Sequence, residues 1–391
     1  MRVGNSWNRR EWARGLLGGG GGALWGASAI SAAAPGGVAA AGAPGWLDAR
    51  EFGARGDGKH DDTRALQRAL DAAGQHRGAV FVPPGVYLCG HLRCHPNTAL
   101  IGIPAWDYRG PAGTVLKLAD PQAACLLDIT RAHGLTLSGL ALDGGGLGRQ
   151  VHGIWLNNPA YLREDSFRID TCQVVRFSGD GVNLTRAWCF SVRHSMLAYN
   201  GGDGLSLRGW DGFILDNWFS GNRRAGFAAR QENASVTFTA NRVEWNHEEN
   251  LLIAGGDGYQ INGNFFDRAG NCAVALRRRG RVPCTQITLT GNFLKRSGKF
   301  AQPGSYDSAQ LFLDRARGVT CTGNSLEAGR DDGGQGRWSP SFGIVYRGLE
   351  DCVIQNNVLY QAALERLLVD LGGPGNGSLI GPNPGRLLTV S

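Results

Sequence analysis

Two aspartates set between glycines stand 23 residues apart, in Gly179-Asp180-Gly181-Val182-Asn183-Leu184 and Gly202-Asp203-Gly204-Leu205-Ser206-Leu207. Carboxylates held side by side at such positions serve as acid, base or nucleophile at a glycosidic bond. The position just before each run of this kind reads His152, Asp180, Asp203, Ala225, Glu249, and the position just after it reads Asn157, Thr185, Arg208, Arg230, Ala254, Arg277. Alternation along the run turns Trp155, Asn183 and Ser206 outward. An indole stacks on a pyranose face, a guanidinium pairs with a uronate carboxylate, and an imidazole titrates near neutral pH. The candidate catalytic residues are therefore Asp180, Asp203 and Glu249. The candidate substrate-binding residues are His152, Trp155, Asn183, Arg208, Arg230 and Arg277. Turn formation stays open as the alternative, because Asp-Gly is an ordinary tight-turn pair and arginines beside acids can simply neutralise them.

What places these residues in one column is a repeat. Val182, Leu205, Phe227, Leu251 and Val274 recur at spacings of 23, 22, 24 and 23, with Leu184, Leu207, Ala229, Ile253 and Leu276 beside them. A third column reads Cys172, Ser195, Asn217, Asn241, Asn264, then Asn292, Asn324 and Asn357. A unit this short cannot bury a core alone and must stack on its neighbours. Short alternating apolar runs bounded by Gly, Asn and Asp are strand-and-turn chemistry. The expected fold is all-β, a single-stranded right-handed parallel β-helix. The Asn column is expected at its tight turns, in the left-handed conformation and bonded amide to amide between rungs. Rungs about 4.8 Å apart would bring Asp180 and Asp203 within roughly 5 Å, and Asp203 and Glu249 within roughly 10 Å.

The formal charge is +7, and residues 1–41 hold Arg2, Arg9, Arg10 and Arg14 against Glu11, leaving +4 on the rest. That is too little for nucleic acid but suits an acidic polymer. Asn8-Arg9-Arg10-Glu11-Trp12 resembles a twin-arginine export signal, followed by a weakly apolar Gly/Ala run to Ala34 and small-residue cleavage sites near Ala34 to Ala41. The expectation is a removed signal over 1–41, a periplasmic or secreted location, and no membrane anchor after removal. The nine cysteines are odd in number and lack metal-ligand spacing, so they read as small buried hydrophobes, with Cys89 and Cys94 the best pair for a bridge.

The β-helix is expected over 42–391, with a cap and first rungs at 47–145, repeated rungs at 146–372 and a tail at 373–391. Its start, Phe52-Gly-Ala-Arg-Gly-Asp57-Gly-Lys-His-Asp61-Asp62-Thr63, precedes an amphipathic helix with Ala65, Leu66, Ala69, Leu70 and Ala73 on one face. Asp62 or Thr63 is expected to cap this helix, which closes the open end of the solenoid. Val82-Pro-Pro-Gly-Val-Tyr87 follows. These stretches resemble the opening of the rhamnogalacturonase/epimerase-type pectate-lyase-like family, a resemblance that implies the β-helix and, more loosely, action on polysaccharide. The Gly-Asp-Gly rungs are also similar in placement to the Gly-Asp-Asp and Gly-His-Gly rungs of polygalacturonases. Gly181 stands where the second Asp would be and Asp203 where the His would be, so the cleft position carries over and that mechanism does not.

The sequence thus favours an exported carbohydrate-active enzyme that cleaves a polysaccharide, possibly uronate-containing, in a cleft on the outer face of the β-helix. As a hydrolase it would use two of Asp180, Asp203 and Glu249; as a lyase it would use an Arg or His as base, with Ca2+ as a possible aid. No metal ligand is assigned. A non-catalytic binder of glycan or cell envelope is the competing class. A monomer or a homotrimer fits either, although a trimeric tailspike sits poorly with an export signal. Insertions at 297–308 and 328–340 are expected to wall the cleft.

Overall fold

The computed structural model describes residues 46–104, 106–160, 163–329 and 339–389. The export segment at 1–41 and Asp331-Asp332 of the second insertion lie outside the described residues. Each turn of the solenoid contributes three strand segments, and all strand pairings are parallel. They form a 12-stranded sheet and a 22-stranded one, the latter joining two faces because Val182–Arg193 and Leu205–Leu215 run through the corner between them.

The repeat columns are the register. Val182 pairs with Leu205, Leu205 with Phe227, Phe227 with Leu251 and Leu251 with Val274, all buried in one continuous core. Period-2 alternation sends these residues inward and their neighbours out. The solenoid continues past the expected tail boundary. Leu379–Ile380 pairs with Val353-Ile354, and Asn383 joins the end of the Asn column.

The Asn column is a buried ladder. The backbone and side-chain N–H groups of Asn217 donate to Asn241 Oδ1 at 3.0 and 3.1 Å, those of Asn241 to Asn264 Oδ1 at 2.9 and 3.1 Å, and the pattern repeats through Asn292, Asn324 and Asn357. The left-handed conformation falls one position earlier than expected, on Asp216, Ala240, Gly263, Gly291 and Gly323. The Asn is kept for its amide, and the strain sits on its predecessor. Ala240, at φ 58°, carries a side chain where three later rungs carry glycine. Ala240→Gly is expected to stabilise the fold by about 0.5–1 kcal/mol, the left-handed penalty less the added chain entropy. Urea unfolding measures this, and no gain would contradict the strain.

The helix Thr63–His76 buries Ala65, Leu66, Ala69, Leu70 and Ala73 against the first strands. Its capping differs from expectation. Asp62 occupies the cap position but makes no side-chain cap bond; its carboxylate turns back to accept the Arg55 and Gly56 N–H groups at 2.7 and 3.0 Å. Asp61 instead accepts from the Thr63 backbone at 2.9 Å. All nine cysteines are free, and Cys89 and Cys94 are buried and unbridged. Among the described residues no helix is long and apolar enough to cross a membrane.

Candidate functional site

One outward column runs along the face that bears the sequence candidates: Asp128, Trp155, Asn183, Ser206, Ala228, Leu252, Ala275, Phe312, Val345, Val369. Its chemistry changes midway. From Ala228 on the side chains form a second apolar cluster outside the coil. The 297–308 insertion lies over that half, with Cys272 Sγ donating to the Asp307 carbonyl at 3.4 Å and Tyr306 against Phe342 at 5.6 Å between ring centroids. Of the two insertions expected to wall the cleft, this one covers the apolar half of the face, and most of the 328–340 insertion lies outside the described residues. The half from Asp128 to Ser206 is polar and partly open to solvent.

At the start of this open half the turn residues form a ladder of their own. The Asp180 N–H donates to His152 Nδ1 at 3.0 Å, the Asp203 N–H to Asp180 Oδ1 at 2.7 Å, and the Ala225 N–H to Asp203 Oδ1 at 3.0 Å. Asp180 Oδ2 accepts from Asn183 at 2.7 Å and lies 3.6 Å from His152 Nδ1. The Trp155 ring stacks on the His152 ring at 6.3 Å. Burial lowers the His152 pKa below the ordinary 6.5 against the pull of Asp180, so the imidazole is neutral near pH 7. His152, Trp155, Asp180 and Asn183 are thus one cluster.

Asp203 differs from the outward acid expected. Its side chain is wholly buried, and Arg230 donates to Oδ2. Burial pushes its carboxyl up, even against that guanidinium. Arg230 leaves the end of its strand and reaches back across the sheet to this carboxylate, over the small outward residues Ser206 and Ala228. Its other nitrogen donates to Glu248 at 2.9 Å. Arg224 stands 3.9 Å from Asp203 and 3.7 Å from Glu248. The column position belongs to Glu249, yet Glu248 is the acid that joins this network. Glu249 is buried under Arg277, which lies 3.2 Å from it, 2.5 Å from Asp307 and over the Phe312 ring at 5.0 Å. Arg208 faces the far border, where Glu232 stands 3.0 Å from it and 3.1 Å from Arg279. Arg224, Glu232, Glu248 and Asp307 were not singled out from the sequence. They lie off the repeat columns, and only the adjoining acids Glu248-Glu249 hinted at one of them.

Among the described residues no group of three or more His, Cys, Asp or Glu side chains is placed to hold a metal ion. The carboxylates here are committed to backbone N–H groups and arginines, so they do not fit a calcium cage.

Coil, cap and walled outer groove define a class, the β-helix proteins with a cleft along one sheet. Residues 46–109 match the family described as rhamnogalacturonase A/epimerase, pectate lyase-like, and residues 148–294 match the right-handed beta helix region. The chain is a right-handed parallel β-helix protein whose opening matches the pectate-lyase-like family model. Alginate lyase 7 of Azotobacter vinelandii is 31% identical over 207 residues, 46% of this chain and 22% of that protein. Mannuronan C5-epimerase AlgE3 of the same organism is 30% identical over 238 residues, 54% of this chain and 12% of that protein. The chain therefore spans about a fifth or less of the length of these curated relatives. The A-module of the A. vinelandii mannuronan C-5 epimerase AlgE4 shares the fold with a TM-score of 0.66 at 19% identity, over 88% of this chain and 99% of the module.

Proposed function

We propose that this protein is an exported enzyme that acts on a uronate-containing polysaccharide by removing the C5 proton, as a lyase or an epimerase does. The observation that carries this reading is how the charges are spent. Asp203 and Glu249 are buried counter-ions of arginines, and Asp180 holds the next rung and Asn183. None of the three stands free as the second carboxylate of a hydrolytic pair. What the open half presents is a neutral histidine beside an aspartate, an indole next to it, and guanidinium groups along the rim.

Those parts suit proton abstraction next to a carboxylate. In the resting site His152 Nδ1 accepts the Asp180 N–H, which leaves the ring proton on Nε2. Once that bond is exchanged for Nδ1–H facing Asp180 Oδ2, 3.6 Å away, Nε2 is free to take the C5 proton. The electron pair left at C5 delocalises into the uronate carboxylate, where Arg208 at the border opposes the growing charge. From this intermediate, return of a proton to the opposite face of C5 inverts the centre. Alternatively the pair forms a C4–C5 double bond as the C4–O4 bond breaks and O4 takes a proton. Trp155 and Asn183 would hold the ring. The relatives named alginate lyase and mannuronan C5-epimerase support the substrate class, and the twin-arginine pattern supports export.

The test incubates the protein with polymannuronate, polyguluronate, polygalacturonate and neutral glucans in D2O. Deuterium at C5, from epimerisation, or unsaturated-uronate absorbance, from elimination, is the expected result. New reducing ends without either signal would make the protein a hydrolase. Binding without any turnover would make it a glycan binder.

A further inference from the structure

Beyond the outer face, on the flank that follows its strand ends, a concave site is lined by Arg278, Arg281, Arg315, Arg317 and Glu350, with Pro283 and Gly348 between them. It is built on fixed backbone. Arg279 and Val282 exchange N–H···O bonds at 2.8 and 2.9 Å, closing a small hairpin that carries Arg278 and Arg281. Arg317 pairs across rungs with Thr285 on one side and Glu350 on the other. The Arg315 N–H donates to the Arg347 carbonyl at 2.7 Å, and a Cβ at Gly348 would meet the Arg315 side chain at 3.4 Å.

The charges here do not balance, unlike those next to them. Arg277, Arg279 and Arg347 on the same flank each have a carboxylate partner. Within the concavity the one acid, Glu350, pairs with Arg317 at 2.5 Å. Among the described residues Arg278, Arg281 and Arg315 have no carboxylate within ion-pair distance, and all three are exposed. Four guanidinium groups against one carboxylate leave three positive charges converging on a single hollow. Guanidinium forks match carboxylates in geometry, and clustered like charges lower their energy by binding an anion. The rung carrying Arg278 is five rungs from that of His152, about 24 Å at the rung spacing. A monomeric product cannot touch both places, and a chain of several uronates can.

We infer that this arginine hollow is an accessory binding site for the carboxylates of a long polyuronate chain, separate from the reacting groups. The inference rests on the proposed function only in taking uronate as the polymer. Two points of attachment on one chain raise the apparent affinity for long chains over short ones. The site holds substrate and takes no part in proton transfer.

The test is equilibrium binding of the full chain at low salt to long polymannuronate, to a uronate trimer, to inorganic polyphosphate and to a neutral glucan. Two triple variants are compared: Arg278→Ser/Arg281→Ser/Arg315→Ser, and the charge-matched control Arg109→Ser/Arg168→Ser/Arg193→Ser. Exposed ion pairs contribute little each, so the hollow variant is expected to lose roughly tenfold in affinity for the long polyuronate. The trimer should bind as before, and the control should change little. Melting curves confirm that both variants fold. Equal losses in the two variants would reduce the effect to net charge and overturn the site, as would no loss. A loss confined to polyphosphate would overturn the assignment to carboxylates. Binding needs no turnover, so a wild type that binds polyuronate with neither C5–H exchange nor unsaturated product would sink the proposed function and leave this inference standing.

Discussion

Asn241→Ala is expected to destabilise the protein by about 3–5 kcal/mol, among the largest effects any single side chain should have here. Asn241 is 1% exposed and sits mid-ladder. Its Oδ1 accepts two N–H groups of Asn217, and its Nδ2 donates to the Ile214 carbonyl at 2.9 Å and to Asn264 Oδ1 at 3.1 Å. Truncation leaves these buried groups short of partners on both neighbouring rungs, at about 1–3 kcal/mol for each group left unsatisfied. In a solenoid the stability is a sum over adjacent rungs, so damage to two successive interfaces is not diluted by the rest of the coil. Asn241→Ser should recover part of the loss, because Ser195 in the same column accepts the Cys172 N–H through Oγ at 3.1 Å. Urea unfolding gives the totals, and hydrogen exchange at Asn217 locates the damage. A change under about 1 kcal/mol for Asn241→Ala would mean that water replaces the amide, and the ladder would be incidental.

The ladder also shows why some of this molecule was legible and some was not. A period of 22 to 24 residues fixes which positions stack, so the core columns, the Asn column and the outward face follow from counting. Counting does not say what a side chain does once it is there. Asn tolerates a left-handed turn and also bonds along a ladder, and the sequence does not separate the two; the structure gives the turn to Ala240 and the bonds to Asn241. Asp62 and Asp61 are equally good caps by type, and the choice between them is set by the Arg55 and Gly56 N–H groups that Asp62 satisfies.

The charged site was harder for the same reason. Arg230 and Arg277 have side chains long enough to cross a strand, so their partners lie at the far end of it, on the adjacent rungs. The outward small residues Ser206, Ala228 and Ala275 leave room for those crossings, a feature readable as a stripe of small side chains but not as a set of pairs. The insertion bearing Asp307 obeys no repeat, and its contact with Arg277 had no signal in the sequence. Burial then decides the chemistry. Asp203 and Asp180 are equivalent in the repeat, yet one is sealed beneath Arg230 and the other faces a histidine.

That last contrast yields the prediction with the largest effect on activity. His152→Ala is expected to lower the rate of C5–H exchange by about 10² to 10⁴-fold, the usual contribution of a positioned general base. The fold should survive, because the imidazole sits at the edge of the groove and the Asp180 N–H it accepts can turn to water. The pH dependence is the sharper measure. Burial lowers the His152 pKa, so the neutral, basic form persists to lower pH than in an ordinary histidine. Activity should therefore be full above pH 6.5 and fall only on the acid side of it, with an acid limb displaced below the free-histidine value. Asp180→Asn should keep Oδ1 as acceptor for the Asp203 N–H while removing the carboxylate whose negative charge favours the imidazolium. Losing that negative charge disfavours the imidazolium, which moves the acid limb lower still and cuts the rate. If His152→Ala exchanges C5–H at near wild-type rate, or if the acid limb does not move in Asp180→Asn, the base lies elsewhere on the face. Arg208, the guanidinium at the opposite border, would then be the group to replace next.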